Sequence, residues 1–145
     1  MSIMQLVVFR LGDEEYGIEI GFAQEIIRIP ELITKIPDMP LYVEGLIDIR
    51  GKVIPIIDLK KRFGYEKTER SMDSRLLILD FESDLLGIIV DDVSEVIKVE
   101  EQAIEKLSAE ISSLGGNRIQ GIAHIDERLI LLLNGSKLKT EVLKN

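Results

Sequence analysis

Few side chains in this sequence can do covalent chemistry. Among 145 residues there is no cysteine and a single histidine, His124. A thiolate nucleophile, a thiolate zinc site and a disulfide framework are therefore excluded, and a reducing compartment fits. His124 stands between Ala123 and Ile125 in an apolar run with no second histidine to share a metal, so it reads as a strand residue in a barrel wall. The adjacent acids Asp91 and Asp92, and the turn acids Asp13, Glu14 and Glu15, resemble cation ligands only superficially. Neighbours on a strand point to opposite faces and turn acids hydrate readily, so solvated charge is expected there. No GxxxxGK[ST] or GxGxxG phosphate loop is present, and Gly115-Gly116 is an ordinary turn signal. The residues offer binding surfaces and no reaction centre, which predicts a protein without catalytic activity, cofactor or metal.

Two charges stand out because each interrupts an apolar strand end: Glu25 and Arg50. An exposed ion pair between them would contribute only about 0 to 1 kcal/mol, a weak reason on grounds of stability to place them together. Their meaning emerges from an internal repeat. GLIDIRGKVIPIIDL at 45–59 returns in weaker form as GIAHIDERLILLLNG at 121–135, and QLVVFRLGDEEYGIEIGFAQEIIRI at 5–29 aligns without a gap on RLLILDFESDLLGIIVDDVSEVIKV at 75–99. Glu25 falls on Glu95, which points to a shared structural role, whereas Arg50 falls on Asp126 and belongs to the first copy alone. Arg50 is then either a solvated turn arginine or a guanidinium held on a rigid turn to hydrogen-bond a partner.

The elements that must position these residues are short and apolar. Runs of Val, Ile and Leu five to seven residues long, with turn signals every eight to twelve, predict an all-β barrel or sandwich. Strands are expected near 5–11, 15–20, 25–29, 45–49, 53–58, 75–81, 85–90, 95–99, 119–125 and 128–133, five in each repeat. Gly12-Asp13-Glu14 and Glu82-Ser83-Asp84 form equivalent polar turns, and Arg50-Gly51 and Asp126-Glu127 the tight ones. Pro55 cannot donate to a ladder, so its strand is expected at an edge or with a bulge. Ser136 is expected to cap a terminal helix with Leu138, Val142 and Leu143 on its packing face. Ile104, Leu107 and Ile111 have helical spacing before Gly115-Gly116, where a loop is the alternative. Tyr42 and Val43 after Pro40 allow a single turn, and the charged stretch 60–73 reads as a mobile connection.

Length and charge bound the function further. A chain of this size makes one domain (1–145) burying roughly 70% of its unfolded surface, but each half alone is marginal, so the two units are expected to share an apolar seam. The balance of 26 acids against 18 Lys and Arg, a net charge of −8, opposes nucleic-acid binding. MSIMQLVVFR reads as a first strand, not a signal peptide, and no apolar run approaches the roughly 20 residues that span a bilayer. A cytoplasmic protein without membrane insertion is expected.

The segments FRLGDEEYGIEI, AQEI, IPDMPLYVEGLIDIRGKVIPIIDLKKRFG and LLGIIVDDVSEVI closely resemble the CheW family of bacterial chemotaxis coupling proteins. The resemblance runs from about Gln5 to Leu138 and is most specific between Pro37 and Leu59. It implies two five-stranded, SH3-like β-barrel subdomains around a shared apolar seam. Strands near the chain ends are able to cross between barrels, so the repeats (about 5–59 and 75–135) need not coincide with the spatial subdomains. It also implies an adaptor in a two-component signalling system, joining the histidine kinase CheA, through its regulatory domain, to the cytoplasmic tips of chemoreceptors (methyl-accepting chemotaxis proteins) in arrays. Carried over by position, Ala23, Glu25, Ile26 and Arg50 match receptor-side and signalling positions. Val93 and Val96 correspond to Ala23 and Ile26 in the second copy and line the other wall of the receptor groove. Glu44, Gly45, Gly51 and Lys52 fall at kinase docking, with Glu44 standing where some relatives carry a basic residue. Other readings are a CheW-like adaptor of a non-flagellar receptor-kinase pathway and, from another class, a small β-barrel enzyme or peptide-binding module.

Overall fold

Two-residue turns fold four pairs of apolar runs into antiparallel hairpins. In the computed structural model, which describes residues 2–143, β1 (Ile3–Leu11) pairs with β2 (Glu14–Glu19) and β4 (Val43–Ile49) with β5 (Lys52–Asp58). Likewise β6 (Arg75–Phe81) pairs with β7 (Asp84–Val90), and β10 (Ile119–Ile125) with β11 (Arg128–Leu133). β3 (Ala23–Arg28), β8 (Asp92–Glu100) and the two-residue β9 (Ile104–Glu105) complete an all-β fold. All ten expected strands are present, most beginning one or two residues early, and β9 was not foreseen.

The strands form two sheets. One has six strands in the order β8-β1-β2-β11-β10-β9, the other five in the order β3-β6-β7-β5-β4, and neither order closes on itself among the described residues. The chain divides into two compact units, residues 1–22 with 94–145, and residues 23–93. Each unit joins the first hairpin of one repeat to the second hairpin of the other. The joint is a parallel ladder: β11 on β2 through Leu131↔Tyr16 in the first unit, and β7 on β5 through Ile57↔Ile88 in the second. Close approach at the second joint requires Gly87, where a Cβ would lie 2.5 Å from Ile56 Cδ1.

Each unit has its own apolar core, built from alternate residues of its strands. The first packs Leu6, Val8, Val99, Ala123, Ile130 and Leu132, flanked by Met4, Ile97, Ile104 and Ile125. The second packs Ile47, Ile54, Ile56, Leu76, Ile78, Leu85 and Ile89, flanked by Ile27, Ile29, Ile33 and Ile49.

Several local expectations are revised. Pro55 lies on an interior strand, but the ladder to β7 begins only at Ile56, so at Pro55 the strand has β4 alone beside it and no donor is missed. The register irregularity falls on β4, between Val43 and Gly45. The stretch 60–73 starts as a helix, α1 (Leu59–Arg62), capped by the Asp58 carboxylate, which accepts from Lys61 N at 3.1 Å. Arg62 lies 5.1 Å over the Tyr42 ring. Ser108 caps α2 (Ala109–Leu114), while Ile104 belongs to β9. The terminal helix α3 (Gly135–Leu143) is capped by Asn134, not Ser136: Asn134 Oδ1 accepts from Lys137 N at 3.1 Å. An asparagine one residue before the helix leaves Ser136 inside the first turn. Leu138 is buried as expected, and the Leu143 side chain lies outside the described residues. The turn after Pro40 forms, with Val43 N donating to Pro40 O at 3.0 Å. Among the described residues no helix is long and apolar enough to cross a membrane.

Gly45 tests the backbone constraint most sharply. Its φ is +139°, and a Cβ there would overlap the carbonyl oxygen of Thr34, whose backbone bridges Leu46. Gly45→Ala is expected to destabilise by about 3 kcal/mol, a strained φ combined with a backbone clash. Gly51→Ala, at φ +84° with open space around it, should cost about 1 kcal/mol. Urea denaturation of the two variants measures both; equal costs would contradict the packing assigned to Gly45.

Candidate functional site

The tight turn between β4 and β5 presents Arg50. Arg50 and Gly51 both have positive φ, +50° and +84°, the conformation a two-residue hairpin of matching twist needs. Asp48 Oδ1 accepts from Gly51 N at 2.9 Å and closes the turn. The start of β3, the opposite edge strand of the same sheet, brings Glu25 to it. A bulge on β3 moves the pairing from Ala23↔Leu79 to Glu25↔Ile78, and Arg50 Nη2 donates to Glu25 Oε1 at 2.7 Å. The Arg50 side chain remains 71% exposed and that of Glu25 27%. Such a pair is worth at most about 1 kcal/mol, so it orients the guanidinium without locking it away from a partner. Ile26, next along β3, is 46% exposed, an unusual position for isoleucine. Of the other positions expected on the receptor side, Ala23 and Val93 are half-buried and Val96 is exposed on the β8 portion that belongs to the first unit.

The four positions expected at kinase docking do not gather at one point. Gly51 and Lys52 sit at the hairpin apex beside Arg50, whereas Glu44 and Gly45 lie at the opposite end of β4, roughly 20 Å along the strand direction. Gly45 is buried beneath Thr34. The Glu44 carboxylate is occupied within the unit, accepting from Lys61 Nζ at 2.9 Å and lying 3.3 Å from Arg70 Nη2. It anchors α1 and the segment after it to β4.

The first unit holds an arrangement that comparison of the copies overlooked. Arg128, at the start of β11, donates to both oxygens of Glu15, at 3.0 and 2.7 Å, and to Glu95 Oε2 at 3.0 Å. Glu95 is the repeat counterpart of Glu25, so each copy of this glutamate meets an arginine of a neighbouring hairpin. The second arginine escaped notice because it stands two positions beyond Asp126, aligned with Lys52. The consequences differ: Arg50 is largely free, while Arg128 is held by two carboxylates. Hydrogen bonds from Arg128 pull the Glu15 carboxyl below its ordinary range, and those to Glu15 raise the Arg128 pKa further. Glu15 is thus not the solvated turn acid expected. Nor is Asp91 the solvated strand acid expected: its oxygens lie 3.2 and 3.0 Å from Lys60 Nζ in a partly buried pair that ties α1 to the end of β7. His124 is exposed on β10, opposite Leu129.

A two-sheet β scaffold that presents a charged turn and an exposed apolar strand edge defines a protein-binding adaptor. Comparison with known proteins makes this specific. The CheW-like domain model matches residues 5–142, and the chain belongs to that family. It is 38% identical over 138 residues to chemotaxis protein CheW of Treponema pallidum strain Nichols, covering 92% of this chain and 81% of the relative. It is 31% identical over 134 residues to chemotaxis protein CheW of Klebsiella aerogenes, covering 92% and 80%. The crystal structure of the scaffolding protein TtCheW from Thermoanaerobacter tengcongensis superposes with a TM-score of 0.83 at 39% identity, covering 93% of this chain and 86% of that one. The chain is accordingly a chemotaxis adaptor of CheW type, and the family is one of scaffolds, not enzymes.

Two acids give opposite pH dependences. Because the Glu15 pKa is lowered on folding, its contribution is present above about pH 4.5 and is lost as pH falls through the folded value. Glu15→Gln should be about 1 kcal/mol less stable than the parent at pH 7, the gap narrowing below pH 4. Asp58 behaves inversely. Burial raises its pKa against the opposing Lys61 N–H bond, so its contribution is present below about pH 3.8 and declines as pH rises through the folded value. Asp58→Asn, which keeps an oxygen for the cap, should gain on the parent between pH 3 and pH 7. Urea midpoints across that range check both signs, and parallel curves for parent and variant would refute either assignment.

Proposed function

We propose that this protein couples the cytoplasmic tips of chemoreceptors to the regulatory domain of the histidine kinase CheA, as a cytoplasmic component of receptor arrays. The observation that carries the receptor half is the presentation of Arg50: a guanidinium on a closed, low-entropy turn, tethered weakly by Glu25, beside the exposed apolar edge at Ile26. A helical hairpin tip docks by apolar contacts, with a directed arginine fixing its register. Ala23, Val93 and Val96 supply small apolar surface of the same kind. Gly51 and Lys52 are assigned to the kinase together with Glu44 and Gly45, the last two shaping the β4 backbone that the kinase meets. Holding both partners raises their effective concentration, so receptor conformation biases kinase activity without chemistry in the adaptor.

Pull-down with a receptor signalling tip and a kinase regulatory domain, separately and together, tests the reading directly; retention of neither would refute it. Arg50→Ala should melt within about 2 °C of the parent, since an exposed pair contributes little. It should still retain the kinase domain and lose most receptor control of kinase autophosphorylation. Unchanged receptor control in this variant would remove Arg50 from the interface.

A further inference from the structure

The second unit carries a basic cleft that adaptor function leaves unexplained. A cavity of about 340 Å³ is lined by Arg28, Glu31, Arg70, Ser71, Ser74 and Arg75, among others. Arg28 and Arg75 are directly opposed across the β3–β6 ladder. Their Cβ atoms are therefore roughly 5 Å apart, a separation at which like charges destabilise a sheet. In this acidic chain, with 26 carboxylates to 18 basic side chains, many cations find an acid: Arg50, Lys60, Lys61, Arg70, Arg118 and Arg128 all do. Among the described residues, Arg28 and Arg75 have no carboxylate partner. Arg75 is nevertheless held in place, its Nη1 donating to Met72 O at 2.9 Å and to Ser74 O at 2.8 Å, which leaves Nε and Nη2 unspent.

The wall facing these arginines is built in advance. Ser71 N donates to Ser74 Oγ at 2.9 Å, Asp73 N to Ser71 Oγ at 3.1 Å, and Ser74 N to Ser71 O at 3.2 Å, with Ser74 itself buried. Arg70 closes the rim while leaning on Glu44 at 3.3 Å, and among the described residues Glu31 is the one acid in the lining. Two unneutralised guanidiniums, one with its fork fixed, and a third beside them match a compact dianion that accepts bidentate hydrogen bonds. A monocarboxylate brings one negative charge to the two guanidiniums, where a phosphate monoester dianion brings two and more acceptor oxygens.

We propose that this cleft binds a phosphate monoester dianion, through Arg28 and Arg75 with Arg70 at the rim. The phosphoryl group is either free, as in a small phosphorylated metabolite, or carried on a side chain of a partner protein. The site is separate from the Arg50 turn and does not rest on the receptor-kinase reading.

Arginine Nε–H and backbone amide NMR spectra of the full chain, titrated at constant ionic strength with inorganic phosphate, N-acetyl-phosphoserine amide and acetate, test it. Saturable shifts confined to Arg28, Arg75 and the amides of 71–75 are expected with both phosphates. Equal affinity for the two identifies a free phosphate as the ligand class, and at least fivefold tighter phosphoserine binding identifies a phosphorylated side chain. Arg28→Gln should weaken either phosphate at least fivefold. Because it removes the repulsion, it should also melt higher than the parent in phosphate-free, low-salt buffer, a gain that a merely structural arginine would not produce. Non-saturable shifts, equal binding of acetate, or an Arg28→Gln variant that melts lower and binds phosphate undiminished would each overturn the proposal.

Discussion

Two parallel ladders, one in each unit, hold the units of this molecule together internally, because each joins hairpins from different halves of the chain. β11 reaches β2 and β7 reaches β5, so neither unit has a sheet of its own until both repeats have been made. Parallel contacts between distant segments carry a loop-closure cost that local hairpins avoid, and burial of the apolar strand faces must offset it. Gly87 shows how closely the second joint is fitted, since the Ile56 side chain occupies the space a Cβ would take. With those ladders in place, β3 and the β4–β5 hairpin are brought within reach of one another, and Glu25 meets Arg50.

The charged groups then divide by what surrounds them. Arg128 is drawn inward by two glutamates and serves the unit that contains it. Glu44 draws Lys61 and Arg70 onto the β4 edge, and Asp91 draws Lys60 to the end of β7. Arg50, with one weak partner and a stiff turn beneath it, is left to face outward. The same residue type thus performs two tasks, and the number of carboxylates within reach decides which. Arg28 and Arg75 are the exception, cations that the fold sets face to face without an acid between them.

Much of this was legible beforehand. Strand positions followed from short apolar runs between turn signals, since hydrophobic period and turn chemistry are local properties. The turn at Arg50-Gly51 was readable for the same reason. What went astray was decided by contacts. Asn134 caps α3 ahead of Ser136, and Pro55 sits harmlessly on an interior strand because its neighbour on one side starts a residue later. The stretch after Leu59 looked mobile from its charge, yet Lys60 and Lys61 find Asp91 and Glu44, 31 and 17 residues away along the chain.

The all-β character, the duplication, the scarcity of reactive side chains and the family resemblance are all legible in the order of the amino acids. These depend on residue type and short-range spacing, which need no knowledge of distant neighbours. Which hairpins share a sheet, that Arg128 answers Glu95 as Arg50 answers Glu25, and that Arg28 faces Arg75 emerge only in the folded chain. Each of these is a pairing between residues far apart in the chain, and its partner is chosen by strand register and by the burial that makes one register more stable than its alternatives.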